Sequence, residues 1–302
     1  MSNAFNTAKT ERIEIADSIG LEDSCAMGSF LTSVTIKDAK GRILYYGHNG
    51  TVLGGRVAVL EDAFGIPKQR KQHLTLNEIM GIPNPKTELV FTERNSDDER
   101  YRYQRTCNYF MVGAGGRVVS GKPSLARNYE TKLYEPIPFR CVPVSNDLSA
   151  EDRAQYRLRK VIQINGEDYV AYYAKKFEPS NVHIVANQTE YTPAESDTVA
   201  IGETGAGVSA SVAGGAVSVY TQFTLDVAEG ELQEYYKLKN GTLVGAKMNE
   251  IGLVTAYDFP ASQDNLYAEL GAAELFAKFI SKDVPMEEEA SRRVVTYKVY
   301  CR

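Results

Sequence analysis

Apolar and polar residues alternate along much of this chain, and the alternation predicts strands. Phe30–Lys37 and Arg42–Tyr46 flank the short turn Asp38-Ala39-Lys40-Gly41 and read as a hairpin. Val161–Ile164 and Asp168–Tyr173 flank Asn165-Gly166, the strongest two-residue hairpin signal, and Tyr235–Lys239 and Thr242–Lys247 flank Asn240-Gly241 in the same way. Further strands are predicted over Leu89–Thr92, Tyr109–Val112, Val182–Ala186, Val217–Thr224, Leu253–Tyr257 and Val294–Tyr300, the last as a strand pinned into a sheet.

Helical spacing is rarer. Val57–Phe64 and Leu74–Met80 are short candidates, each stopped by glycine and proline. Ser149–Lys160 opens with Ser149 and Asp152, a start that resembles a capping box. Leu266, Leu270, Ala273, Ala277 and Ile280 recur at helical spacing, and Pro260 and Pro285 bracket them, so Asp264–Ser281 is expected as the longest helix. The fold class expected is α+β: mainly antiparallel β, with a few short helices and one longer helix in the C-terminal half. Turn-rich stretches place a boundary near Asn146, between a mixed α/β front unit (1–146) and a β-rich unit (147–302) that carries an extended arm near 192–225.

That arm is an uncharged ribbon, Thr204–Phe223. Its opening, Gly202–Ser209, imitates a phosphate-binding loop, but Val208 stands where the lysine that reaches the β/γ-phosphates is needed. The small and β-branched residues after it suit an extended hairpin that a partner covers. Elsewhere, Gly113-Ala114-Gly115-Gly116 lacks the third glycine of a dinucleotide fingerprint, since Val118 takes its place, and reads as a tight turn between strands.

Composition narrows the chemistry further. A net charge of −5 argues against nucleic acid as a general partner. No run reaches the length of a membrane span, and the N-terminus lacks the apolar core of a signal peptide, so a cytoplasmic setting is expected. Four scattered cysteines (Cys25, Cys107, Cys141, Cys301) indicate neither a zinc site nor a disulfide framework. The three histidines, His48, His73 and His183, sit in no metal or nucleophile motif. Adjacent carboxylates at Glu22/Asp23, Glu61/Asp62, Asp97/Asp98 and Glu151/Asp152 point apart in turns or helix starts, unlike an acid/base pair held across a cleft. No catalytic, cofactor-binding or metal-binding residue is assigned.

What remains favours contact with other proteins. Arg100, Tyr101, Arg102, Tyr103 and Arg105 place arginine and tyrosine along one strand, a pairing enriched at protein interfaces. Val208, Val212, Val217, Val219 and Tyr220 of the ribbon join them as interface candidates, as do Arg292, Arg293, Tyr297 and Tyr300 of the C-terminal segment. Glu287-Glu288-Glu289, followed by Arg292-Arg293, reads as a solvated face or an interface rim.

Three blocks carry a likeness: YFMVGAGG (Tyr109–Gly116), YEPIPFRCVP (Tyr134–Pro143) and DLSAEDRAQYRLRKVIQINGEDYVAYYAKKFE (Asp147–Glu178). Their texture resembles virion structural proteins of large tailed bacteriophages. The resemblance implies a non-enzymatic subunit made in the infected bacterial cytoplasm, built with copies of itself and other virion proteins into the tail, neck or baseplate, or else associated with the capsid. Two rival readings belong to other classes: a hydrolase with a site built from distant residues, using His48 or His183 beside a carboxylate, and a nucleotide binder acting through Gly202–Ser209.

Overall fold

β-branched and aromatic residues in alternation give this chain antiparallel ladders, because such side chains pack well on a pleated surface. A computed structural model describes residues 31–50, 55, 75–83, 105–118, 125–126, 132–180, 182–186, 189–191, 200–201, 209–210, 217–261, 266–287 and 292–301. In chain order the elements are β1 (Leu31–Asp38), β2 (Ile43–Gly50), α1 (Leu76–Ile79), β3 (Arg105–Gly113), β4 (Arg117–Val118), β5 (Leu125–Ala126), β6 (Pro136–Ile137), β7 (Arg140–Pro143), α2 (Ala150–Arg153), β8 (Tyr156–Ile164) and β9 (Glu167–Lys176). They continue with β10 (Val182–Ala186), β11 (Thr189–Tyr191), β12 (Ala200–Ile201), β13 (Ser209–Ala210), β14 (Val217–Val227), α3 (Gln233–Asn240), β15 (Lys247–Phe259), β16 (Glu269–Pro285) and β17 (Arg293–Cys301).

Two large sheets result. The first runs β11-β10-β14-β17-β1-β2, antiparallel throughout. The second runs β16-β15-β3-β9-β7, with β6 added beside β3 and β8 beside β9. They pack face to face over one core: Val34, Ile36, Phe223, Leu225, Val227, Val295, Tyr297 and Val299 from the first sheet meet Phe110, Val112, Ile251, Leu253, Ala277 and Phe279 from the second. The second sheet is buried on its other face as well, where Tyr109, Met111, Val254, Ala256 and Leu275 pack with Leu76 of α1 and Met80 just after it. Consecutive residues of β3 therefore point to opposite cores, as the two-residue strand period requires.

Burial on both faces explains the largest departure from expectation. The helix expected over Asp264–Ser281 is not what the described part of that stretch forms: Glu269–Pro285 is a 17-residue strand. A strand apolar on both sides loses its two-residue signature, and bulges shift its phase further. The pairing with β15 slips near Leu253/Val254 and Thr255/Tyr257, and Ala272 has φ 47°. The apolar residues of this strand thus fall by chance at helical spacing.

A second departure is α3. Asn240-Gly241 is not a hairpin turn but the end of a helix. Gly241, at φ +70°, donates its N–H to the Lys237 carbonyl at 2.8 Å. A left-handed glycine serves a hairpin and a helix terminus equally well. Third, the predicted helix over Ser149–Lys160 stops after one turn: Ser149 Oγ accepts from Asp152 N at 3.1 Å, but β8 takes over at Tyr156. The hairpins β1–β2 and β8–β9, α1, and strands β3, β10, β14, β15 and β17 lie where the pattern places them. Val57–Phe64 and Leu89–Thr92 lie outside the described residues. The boundary expected near Asn146 falls between β7 and β8, both of which pair with β9, and each large sheet draws strands from either side of it.

Candidate functional site

The terminal strands of the two sheets are treated differently. β16, at one end of the second sheet, is capped along its length. Thr75 starts α1 with a capping box: Glu78 N donates to Thr75 Oγ1 at 3.3 Å and Thr75 N donates to Glu78 Oε2 at 2.9 Å. That turn aims the buried Asn77 at the strand, where its Nδ2 donates to the Leu270 carbonyl at 2.7 Å and its Oδ1 accepts from Ala273 N at 3.0 Å. Farther along, Arg117 Nε donates to the Ser281 carbonyl at 2.6 Å, and the backbone of Gly55 lies so close to Phe276 that a Cβ there would sit 2.0 Å from its carbonyl oxygen.

β2 terminates the first sheet and, among the described residues, its only strand neighbour is β1. Its sequence, ILYYGHNG, contains no Lys, Arg, Asp, Glu or Pro. These are the devices by which exposed edges usually avoid pairing with other chains. The strand is held from one side: the Tyr45 ring meets Phe279 edge-on at 5.6 Å, while Ile43 is 52% exposed.

The interface candidates read from the sequence scatter. Arg100, Tyr101, Arg102, Tyr103, Val208 and Val212 lie outside the described residues, as does most of the Gly202–Ser209 loop. Arg105 is turned inward, its Nη2 2.5 Å from Glu274 Oε2. The ribbon is not wholly an arm awaiting a partner: Val217 to Phe223 belong to β14 and are flanked by β10 and β17 of the same chain, with Val217 opposite Ala186 and Val219 opposite Cys301. The alternation of its closing residues suits a sheet interior as well as an arm. Tyr220 is buried, its ring stacked on His183 at 4.8 Å, with Lys298 Nζ 4.9 Å from its centroid. Arg292 grips Asp226 through Nε and Nη2 at 2.9 and 3.1 Å. Arg293 is buried and donates to the Pro285 carbonyl at 2.7 Å. Tyr297 is wholly enclosed in the core. Tyr300 pairs with Leu31 and Tyr220 in the ladder.

Sequence reasoning missed a set of three half-buried clusters, each with a tyrosine hydroxyl donating to a carboxylate that also pairs with a cation. Tyr172 Oη donates to Asp147 Oδ1 at 2.6 Å, and Arg159 Nη2 lies 3.0 Å from Asp147 Oδ2. Tyr156 Oη donates to Glu231 Oε1 at 2.5 Å, and Lys175 Nζ lies 2.8 Å from the same carboxylate. Tyr109 Oη donates to Asp258 Oδ2 at 2.5 Å, and Arg157 Nε lies 2.8 Å from Asp258 Oδ1. Most of these cations and hydroxyls come from β8 and β9, and the alternating Y-R-L-R at Tyr156 to Arg159 is the one trace of them in the sequence.

Electrostatics assigns these groups to cohesion. Burial first, and then the carboxylates of Glu231 and Asp147 respectively, push the Tyr156 and Tyr172 phenols well above their usual range, so both remain donors. Burial opposes ionisation of Asp147, but the bonds from Tyr172 and Arg159 outweigh it and hold the carboxyl below the usual carboxylate range. Burial pushes the free thiols of Cys107 and Cys141 up to about 12, which denies them thiolate character near neutrality. His183 Nε2 lies 3.3 Å from Ser180 Oγ; the side chains of His48 and His73 lie outside the described residues. Of the adjacent carboxylate pairs, Glu151/Asp152 sit exposed on α2 and the others lie outside the described residues. Among the described residues there is no cluster of three or more His, Cys, Asp or Glu arranged to hold a metal ion, and no helix is long and apolar enough to cross a membrane.

The glycine-rich turn after β3 has an unforeseen occupant. Glu250 Oε2 accepts from Gly115 N at 3.1 Å, Tyr134 N at 3.1 Å and Glu135 N at 3.4 Å, and Asn249 Oδ1 accepts from Gly116 N at 2.9 Å. A Cβ at Gly113 would lie 2.7 Å from Glu250 Oε2, and one at Gly116 2.5 Å from its Cγ. The glycines are there to let backbone approach a carboxylate of the chain itself.

No curated protein and no solved structure matches the chain. Residues 50–296 match one family, and that span takes in every element from α1 to β16. The chain belongs to the family described as "Family of unknown function (DUF7208)".

Proposed function

We propose that this chain is a non-enzymatic structural subunit of a bacteriophage virion, placed in the tail, neck or baseplate and assembled with copies of itself and other virion proteins in the host cytoplasm. The observation that carries the reading is the uncharged edge of β2, set against the capped edge of β16. An extended segment from a neighbour can add to such an edge, with main-chain hydrogen bonds supplying affinity, and symmetry then repeats the contact. The resemblance of Tyr109–Gly116, Tyr134–Pro143 and Asp147–Glu178 to virion proteins of large tailed phages supplies the setting. Three carboxylates bound to tyrosine and cation favour a rigid scaffold over a reacting centre. The role needs no cofactor.

Electron microscopy and light scattering of the purified chain, alone and mixed with the other virion proteins of its phage, test the proposal. Ordered multimers are expected, and Ile43→Lys on the β2 edge should weaken them while leaving the monomer folded. A chain that stays monomeric in every mixture would end this reading.

A further inference from the structure

Lys278 and Glu250 form a pair enclosed on every side. Their side chains are 2% and 0% exposed, and Lys278 Nζ lies 3.0 Å from Glu250 Oε1. They come from neighbouring strands: Glu250 of β15 sits opposite Ile280 of β16, and Lys278 sits opposite Gly252. The two therefore stand diagonally across the ladder, beside Gly252, where the space a Cβ would take is filled by Leu275 and Leu133. The amine is further fixed by donation to the Lys132 carbonyl at 3.1 Å and by the Tyr134 ring, whose centroid lies 4.4 Å away.

The carboxylate has two unlike oxygens. Oε1 faces the amine and also accepts from Tyr134 N at 3.2 Å. Oε2 lies in the cradle of backbone N–H groups from Gly115, Tyr134 and Glu135. Backbone donors aimed at one oxygen of a carbonyl carbon, with a nitrogen held at the other, are the parts that acyl transfer requires.

We infer that Lys278 and Glu250 condense into an isopeptide bond that joins β15 to β16. One proton passes from Nζ to Oε1, turning the pair into an amine and a carboxylic acid. The nitrogen lone pair then attacks Cδ, and the electrons of the C–Oε2 double bond move onto Oε2, where the three N–H groups receive the charge. The double bond re-forms as the C–Oε1 bond breaks, and Oε1 departs as water with a second proton from the nitrogen. One N–C bond forms, one C–O bond breaks and one water is released; nothing is oxidised or reduced, and no co-reactant is needed. Groups held in such register reach effective concentrations of about 10⁵–10⁸ M. The amide also replaces two buried charges, which are costly to keep out of water.

The mass of the intact wild-type protein decides the matter, after purification under native conditions and unfolding just before measurement. The expected mass is lighter than the sequence mass by one water, and proteolysis should release a branched peptide linking the segments around Glu250 and Lys278. The deficit should vanish in Lys278→Met and in Glu250→Ala. A wild-type protein at its full sequence mass overturns the inference, as does a deficit that persists in either variant. Because the wild type is the decisive sample, poor folding of a variant leaves the result readable. The outcome is independent of whether the chain assembles.

Discussion

Phe223 of β14 and Tyr297 of β17 stand directly opposite one another in the ladder, their rings 5.3 Å apart and 9° from parallel. Phe177 also stacks on Phe223 at 4.4 Å, and Phe110 links Phe177 to Phe139 by edge contacts at 6.4 and 4.9 Å. This aromatic column crosses from one sheet to the other, so it welds the two layers. Replacing either Phe223 or Tyr297 by alanine removes buried ring surface and leaves a cavity, at an expected loss of about 3–5 kcal/mol. The double variant should lose less than the sum of the two, because the pair shares one contact. Denaturant unfolding of the three variants measures both effects, and midpoints close to the wild type would contradict the column's role.

Gly241 ends α3 in the left-handed region, at φ +70°. No atom outside its chain neighbours lies within 4 Å of where a Cβ would stand, so the cost of a side chain there is purely conformational. Gly241→Ala should therefore destabilise the protein by about 1–2 kcal/mol without altering its sheets. Thermal unfolding with far-ultraviolet circular dichroism reports both quantities; an unchanged midpoint would mean that the helix ends elsewhere.

Acid should loosen the protein through Asp147. Its folded-state carboxyl titrates below the usual range, because the bonds from Tyr172, Arg159 and Leu148 N exceed the opposing effect of burial. The unfolded chain takes up that proton first, near about pH 4. The stabilisation is thus complete above that value and is lost as pH falls through the folded-state value. Asp283, held low by bonds from Lys247 and Asn249 against the effect of burial, adds to the same slope. Unfolding free energies measured between about pH 2 and pH 5 should fall less steeply in Asp147→Asn than in the wild type. Parallel curves would exclude Asp147 as a source of the acid response.

Alkali should act through the buried phenols. Tyr156, Tyr172 and Tyr173 are pushed above the usual range by burial first, with Glu231 and Asp147 reinforcing the first two. The unfolded chain releases these protons near about pH 10. Their contribution is complete below that value and is lost as pH rises towards the folded-state values. Tyrosinate absorbance should therefore show a delayed group among the 19 tyrosines that ionises together with the loss of sheet. A single smooth titration with the sheets intact would oppose the prediction.

The parts of the fold legible in the sequence are those where one physical signal acts alone. The β8–β9 hairpin is such a case, since Asn165-Gly166 and the flanking alternation agree. Val294 to Tyr300 is another, a strand with one face in the core. Legibility ends where two constraints overlap. β16 is buried on both faces and bulged, which erases its period, and Gly241 satisfies two motifs with one conformation. The Asp258–Arg157 and Glu250–Lys278 pairs escaped notice for a different reason. The first joins residues 101 positions apart, and pairing at that distance leaves no local pattern. Glu250 was also obscured by its surroundings, because a glycine-rich turn suggests an outside anion before it suggests a side chain of the same chain.

β17 lies between β14 and β1, at the middle of the first sheet. Until residues 293–301 emerge from the ribosome, β1 and β2 on one hand and β14, β10 and β11 on the other have no strand to join them. Closure of that layer thus falls to the last stretch synthesised of the described chain. Folding of this layer waits for residues 293–301, and a nascent chain arrested before Arg293 should remain open to protease where one extended past Cys301 resists it.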